Sequence, residues 1–233
     1  MRIAILQSSY IPWKGYFDII GSVDVFVVYD DVQYSKNHWH NRNLIKTQHG
    51  IKWLTVPVSK AEGAFQKIED VSLPTPFAQN HWRAIQQAYS RTAFFGLYGP
   101  PIAALYDQAA GVANLSQLNV LFLKAITSLL GFKTRFIQSR DLGIIGGRTA
   151  RLAGICRALG ATHYISGPSA RAYLDEVLLD RNGIAVEWMD YSGYPPYTQL
   201  HGEFSHQVSI LDLIFNTGPD ALSYMKAGRA NHE

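Results

Sequence analysis

The strongest constraint on this chain is a pair of short segments, Arg2 to Gln7 with its unbroken apolar centre Ile3-Ala4-Ile5-Leu6 and the apolar run Val25 to Tyr29, joined by a stretch long enough for one short helix. Runs that are brief, β-branched and continuous predict strands buried on both faces, because a strand with one solvated face alternates apolar with polar residues. Between them, Ser8-Ser9-Tyr10-Ile11-Pro12-Trp13-Lys14-Gly15 supplies turn residues, and Tyr16, Phe17, Ile19 and Ile20 form the apolar face of a helix. Strand, helix, strand predicts a right-handed βαβ unit, the opening of an open α/β sheet. Ligands bind such sheets outside the carboxyl ends of the strands, so Gln7 to Gly15 and Asp30 to Asn43 are expected to face one cleft.

The remaining chain extends this pattern. Trp53 to Val58 reads as a strand whose Pro57 suggests an edge or an end, and Lys60 to Gly63 as a loop. From Phe77 to Leu130 the period becomes helical, with Asn114 as an N-cap and Gly131 closing the last helix. This block, about residues 76–131, is expected to be a helical insertion or lid. Afterwards the α/β rhythm returns: strand Lys133 to Gln138, helix Thr149 to Leu159 closed by Gly160, strand Thr162 to Ser166, helix near Ser169 to Asp180, and strand Ile184 to Met189. The tail from His206 to Ala227 reads as helical with a break at Gly218-Pro219. The predicted fold class is therefore α/β, an open and mostly parallel sheet with flanking helices plus the helical insertion.

Composition narrows the function classes. A single cysteine in 233 residues rules out an internal disulfide framework. The start turns polar too early for a signal h-region, and no apolar run approaches the ~20 residues that a bilayer requires, so a cytoplasmic protein without a membrane span is expected. With 47% hydrophobic residues, 17% charged residues and a formal charge of +3, the chain has material for a core and lacks the Lys/Arg runs of a dedicated nucleic-acid binder.

Three stretches could carry chemistry. In the first, Gln7, Tyr10, Gly15 and Tyr16 belong to a strand-to-helix loop where glycine admits close backbone approach, although such loops also serve as plain connections. The second, Asp30 to Asn43, is dense in donors and acceptors, which marks either a solvated loop or a site for a polar ligand such as a sugar, an amino acid or a nucleotide. Here Asp30, Asp31, His38 and His40 are candidate acid–base groups, and Gln33, Trp39, Asn41, Arg42 and Asn43 candidate ligand contacts. His-x-His alone is a weak metal signal, so no metal site is expected. In the third, Ser166, Gly167, Ser169, Arg171 and Tyr173 follow a strand and open a predicted helix, where Arg171 could fork onto an anion; Arg148 and Arg151 start the helix upstream. Cys156 sits mid-helix among apolar residues and reads as a small buried hydrophobe. A long Tyr/Pro/Gly-rich loop from Gly193 to Ser205, with His201 and His206 close by, reads as an ordered loop of the kind that often faces substrate.

Taken together, these stretches resemble the WbqC-like protein family over nearly the full length. The resemblance rests on Ile5-Leu6-Gln7, Tyr10-Ile11-Pro12-Trp13 and Gly15-Tyr16-Phe17; on Tyr29-Asp30-Asp31-Val32-Gln33-Tyr34; on Trp39 with Asn41-Arg42-Asn43; and on Trp53-Leu54-Thr55-Val56-Pro57. Later come Leu159-Gly160-Ala161, Tyr164-Ile165-Ser166-Gly167-Pro168 with Tyr173-Leu174, and Leu211-Asp212 with Asn216. Ser8 stands where members usually carry Pro, and Arg148 where Lys is expected. The resemblance implies one α/β domain over residues 1–233 and a setting in bacterial surface-polysaccharide or flagellar-glycan loci. The order of parts is also similar to the HIGH-signature nucleotidyltransferase superfamily, but Gly15-Tyr16 stands where Gly-His would be expected.

The leading expectation is an enzyme that transfers a small acyl or aminoacyl group to an amine or hydroxyl of a polar acceptor, from a donor such as a carrier-protein or CoA thioester. Asp30 or Asp31 would be the general base; Gln7, Asn41 and Arg42 would position the acceptor; and Ser166, Gly167 and Arg171 would hold an anionic group of the donor. The alternatives are a nucleotidyl- or adenylyl-transfer enzyme and a non-catalytic sugar-nucleotide binding protein. No motif names a cofactor.

Overall fold

The computed structural model describes residues 1–59, 65–74 and 76–228. Its strands are β1 (Arg2–Leu6), β2 (Val25–Val28), β3 (Arg42–Thr47), β4 (Gly50–Thr55), β5 (Arg135–Gln138), β6 (His163–Ser166) and β7 (Ala185–Trp188). The helices are α1 (Lys14–Gly21), α2 (Ala78–Tyr89), α3 (Phe95–Ala109), α4 (Leu115–Leu129), α5 (Arg148–Ala158), α6 (Glu176–Asp180) and α7 (Ile210–Thr217). Among the described residues no helix is long and apolar enough to cross a membrane.

Five strands form one parallel sheet in the order β5–β2–β1–β6–β7. Strand β1 lies at its centre, with Ile3 opposite Val25 on one side and Tyr164 on the other. The chain winds outward through β2 and β5, then returns to the other side of β1 for β6 and β7. That reversal opens a crevice between the carboxyl ends of β1 and β6, where neighbouring connections leave in opposite directions.

Strand alternation divides the core in two. Ile3, Ile5, Val25 and Val27 pack with Leu152, Ile155, Cys156 and Leu179 on one face. Ala4, Phe26 and Val28 turn to the other, larger cluster with Phe17, Ile20, Phe122 and Phe215. Both faces are covered, which is why these strands read as continuous apolar runs. Helices α2 to α4 supply Ile85, Tyr89, Ile102, Tyr106, Phe122 and Ile126 to this larger cluster, so the helical block shares its core with the sheet. Truncating Phe122 to Ala in such a setting costs about 3–5 kcal/mol.

Local signals explain most boundaries. Asn114 caps α4 by accepting from the Gln117 amide at 3.1 Å, and Gly131, with φ of 79°, follows its last turn. Lys60 to Gly63 lies outside the described residues. Two differences from the sequence reading bear on the site. Arg42 and Asn43 start a strand, because β3 and β4 pair as an antiparallel hairpin from Arg42↔Thr55 to Thr47↔Gly50. The helix expected near Ser169 to Asp180 is broken: Pro168–Ala172 forms a 3-10 turn, and Asp175 caps the separate α6 by accepting from the Leu178 amide at 3.0 Å. Arg171 therefore sits in a 3-10 turn and not at an α-helix start, so the macrodipole argument does not apply to it.

Candidate functional site

The polar stretch after β2 turns inward. Asp30 is 1% exposed; its Oδ1 accepts from the Ser8 amide at 2.8 Å and its Oδ2 from the Ser116 hydroxyl at 2.5 Å. The Ser8 carbonyl accepts from His40 Nδ1 at 2.9 Å, and Ser8 Oγ accepts from Asn119 Nδ2, also at 2.9 Å. Further along the β1–α1 loop, the Tyr10 carbonyl accepts from Asn43 Nδ2 at 3.0 Å, the Tyr10 amide donates to the Trp39 carbonyl at 3.1 Å, and the Pro12 carbonyl accepts from the Ile210 amide at 2.9 Å. The Tyr10 hydroxyl is buried between Tyr106 Oη at 2.7 Å and His81 Nδ1 at 2.9 Å. Asn41 is also occupied, donating to the Val56 carbonyl at 2.8 Å and accepting from Tyr34 at 3.0 Å.

These contacts form a clamp on one loop. Between its jaws Ile11 adopts φ of 37°, a left-handed conformation disfavoured for a β-branched residue and held by the bonds at Tyr10 and Pro12. Gly15 is required by packing, since a Cβ there would lie 2.3 Å from the Trp13 ring.

Burial sets the protonation states in the clamp. Desolvation raises the Asp30 carboxyl above its ordinary value, against the lowering effect of its bonds to Ser116 and Ser8. Desolvation also lowers His40 to about 4 and His81 to about 4, so both imidazoles are neutral near pH 7. Because the Ser8 carbonyl can only accept, the His40 proton resides on Nδ1; Nε2 is buried with no hydrogen-bond partner.

The crevice itself is furnished differently. Asp31 follows β2 with Oδ1 accepting from the Ser139 hydroxyl at 2.5 Å, while Oδ2 pairs with the Arg151 guanidinium. Arg151 lies 4.8 Å over the Tyr29 ring and donates to the Ile144 carbonyl at 2.8 Å. Two further guanidinium–aromatic pairs stand at the ends of β6 and β7: Arg148 lies 5.8 Å from the centre of the Tyr173 ring, and Arg171 5.1 Å from that of Trp188. Tyr173 is 54% exposed, and among the described residues neither Arg148 nor Arg171 has an ion-pair partner. Ser166 is buried at the end of β6, Gly167 follows beside the Tyr191 hydroxyl, and Ser169 is exposed without capping the 3-10 turn. On the β1 side, the Tyr16 hydroxyl donates to the Gln7 carbonyl at 2.8 Å.

The remaining candidates lie on the hairpin side. Trp39 and Trp53 are both about two-fifths exposed, with ring centres 5.3 Å apart, and Arg42 lies 4.4 Å over Trp53 while donating to the Asn37 carbonyl. His38 is exposed, its ring centre 4.6 Å from that of His40 and tilted by 32°; Gln33 is exposed and bridges to Lys67. Among the described residues no three His, Cys, Asp or Glu side chains gather as a metal-binding group.

The sequence reading missed Tyr29, Ser139, Trp188 and Tyr191 as neighbours of the crevice. Strand-end position was the available signal for Tyr29 and Trp188, since both stand at the carboxyl ends of parallel strands.

Comparison with known proteins agrees with the residue patterns. The model of a family described as the WbqC-like protein family matches residues 7–224. An uncharacterized protein of Mycobacterium tuberculosis is 47% identical over 226 residues, covering 97% of this chain and 97% of its own length. No solved structure matches the chain.

Proposed function

The chain belongs to the WbqC-like protein family, and from that premise we propose that it is a group-transfer enzyme of glycan or small-metabolite biosynthesis. In this reading it moves an acyl or aminoacyl group onto an amine or hydroxyl of a polar acceptor. The observation that carries the reading is the carboxyl end of the sheet, where Asp31, paired with Arg151 beside Tyr29, follows β2, and where the segments after β6 and the end of β7 bring Arg171 and Trp188 together, Arg148 and Arg171 having no carboxylate partner among the described residues. Asp31 is the base of choice over Asp30: each of its oxygens keeps a lone pair beyond the bonds to Ser139 and Arg151, and its side chain retains 9% exposure, whereas Asp30 is sealed beneath the loop.

In the step itself the acceptor nitrogen or oxygen attacks the carbonyl carbon of a thioester. The new C–N or C–O bond forms, the C–S bond breaks, Asp31 takes the acceptor proton and the thiolate leaves. The test is to incubate the purified protein with acyl and aminoacyl thioesters and amino-sugar or amino-acid acceptors, reading product mass. Asp31→Asn is expected to lower turnover about 10²–10⁴-fold; full turnover by that variant would remove the base assignment.

A second reading, nucleotidyl or adenylyl transfer from ATP with Mg²⁺, is favoured by the strand order, which is shared with doubly wound nucleotide-binding sheets. Pyrophosphate release that requires ATP, Mg²⁺ and the acceptor would select it over acyl transfer.

A further inference from the structure

Arg148 and Arg171 are the least explained cations near the crevice. Long charged side chains on a protein surface usually find a carboxylate or extend into water. These two are exposed and lie beside aromatic rings: Arg148 beside Tyr173, which follows the 3-10 turn after β6, and Arg171 beside Trp188, which ends β7. Trp188 is held in place by its indole N–H, which donates to Glu176 at 3.4 Å, and the Met189 amide donates to the Ser166 carbonyl at 2.9 Å, tying this corner to β6. Tyr173 lies two residues beyond Arg171 and presents a ring that is more than half exposed. Arg151, the third arginine, is already neutralised by Asp31, whereas Arg148 and Arg171 have no ion-pair partner among the described residues.

We propose that this corner is the seat of a nucleoside 5′-diphosphate, with the Arg148 and Arg171 guanidinium groups on the diphosphate oxygens and the Tyr173 ring against the base. The chemistry fits residue by residue. Guanidinium forks match phosphate oxygens in paired hydrogen bonds, and the unpaired charge of each is compensated when the anion arrives. An exposed aromatic face beside a cation offers stacking to any base, with no demand on its identity. Gly167 directly follows β6, with the Tyr191 hydroxyl 3.4 Å from the place its Cβ would occupy, so this stretch of backbone carries one further hydrogen-bonding group. The assignment rests on the group-transfer reading and deepens it, because CoA thioesters, sugar nucleotides and ATP all carry a nucleoside diphosphate.

The experiment is calorimetric titration of the full chain with ADP, UDP, CoA and inorganic pyrophosphate at low and high salt. Saturable binding of at least one nucleotide is expected, weakening as salt rises. Arg148→Ala and Arg171→Ala should each reduce its affinity about 10- to 100-fold, and Tyr173→Ala should weaken nucleotide while leaving pyrophosphate unchanged. Arg157→Ala, which removes the same charge from the far end of α5, should have no effect. Preference among ADP, UDP and CoA identifies the source of the diphosphate. Absence of saturable binding by all three nucleotides, or equal losses in Arg148→Ala, Arg171→Ala and Arg157→Ala, would overturn the site. The two readings fail separately: nucleotide binding lost in the arginine variants without any group transfer keeps the site and removes the enzyme, whereas Asp31-dependent turnover with a nucleotide-free thioester and no nucleotide binding does the reverse.

Discussion

Asp30 and Asp31 are chain neighbours that end in opposite surroundings. Asp30 is enclosed by Ser8 and Ser116 and serves the shape of the β1–α1 loop. Asp31 pairs with Arg151 and Ser139 and keeps 9% of its side chain exposed. Around Asp30, His40, Asn43 and Asn119 each hold a piece of backbone; elsewhere at the carboxyl end of the sheet Arg148 lies by Tyr173 and Arg171 by Trp188, with no ion-pair partner among the described residues. The lesson is physical. A buried polar group has to be satisfied from within, and once satisfied it is scaffold, while polar groups left at a rim with their bonding capacity open are those that can recognise something else.

The contrast can be broken in several ways. The largest expected effect is on catalysis: Asp31→Asn should remove about 10²–10⁴ of turnover, while its amide oxygen can still accept from Arg151, so that the urea midpoint falls less than in Asp30→Ala. For stability the order reverses. Asp30→Ala strands the Ser8 amide and the Ser116 hydroxyl in a dry interior, at roughly 1–3 kcal/mol for each, a loss visible in equilibrium unfolding; a midpoint no lower than that of Asp31→Ala would make the scaffold assignment wrong.

Acid titration sharpens the same distinction. His40 is lowered to about 4 in the folded state against an ordinary 6.5, so the unfolded chain takes up its proton first. Its contribution is complete above pH 6.5 and is lost as pH falls through that value toward 4, amounting to about 3 kcal/mol. Asparagine at position 40 can still donate to the Ser8 carbonyl and does not titrate, so His40→Asn should flatten this part of the stability profile; an unchanged profile would place the acid sensitivity elsewhere. Asp30 runs the other way. Its raised folded value means that its contribution is largest below about pH 3.9 and is lost as pH rises through the folded value. Asp30→Asn, able to accept from Ser8 and donate to Ser116, should therefore change stability by less than about 1.5 kcal/mol and gain on the parent as pH rises. This is the smallest expected effect, measured as the difference in unfolding free energy between pH 5 and pH 8.

Much of the sheet was legible because its signals are local. Two-sided burial shows in unbroken runs such as Val25–Val28, and caps such as Asn114 act within one turn. The hairpin was less so: in Arg42–Thr47 polar residues occupy inward positions, with Asn43 and Lys46 buried, so the alternation that announces a strand is blurred. The candidate site was legible as a list of residue types and not as an arrangement. Nothing local distinguishes Asp30 from Asp31, since their partners Ser116 and Arg151 come from α4 and α5, more than eighty residues away. The predicted helix over Arg171 failed because Asp175 is a stronger helix start than the residues before it.

The clamp on the β1–α1 loop also sets an order of events during synthesis. The loop leaves the ribosome before its anchors, which arrive much later: Asn43, then Asn119, and last Ile210, whose amide holds Pro12. Asp18, in the first helix, waits longer still for the amides of Lys226 and Ala227. A nascent chain therefore exposes its βαβ unit long before it possesses the donors that fix the loop, and the loop reaches its final shape only when α7 has docked.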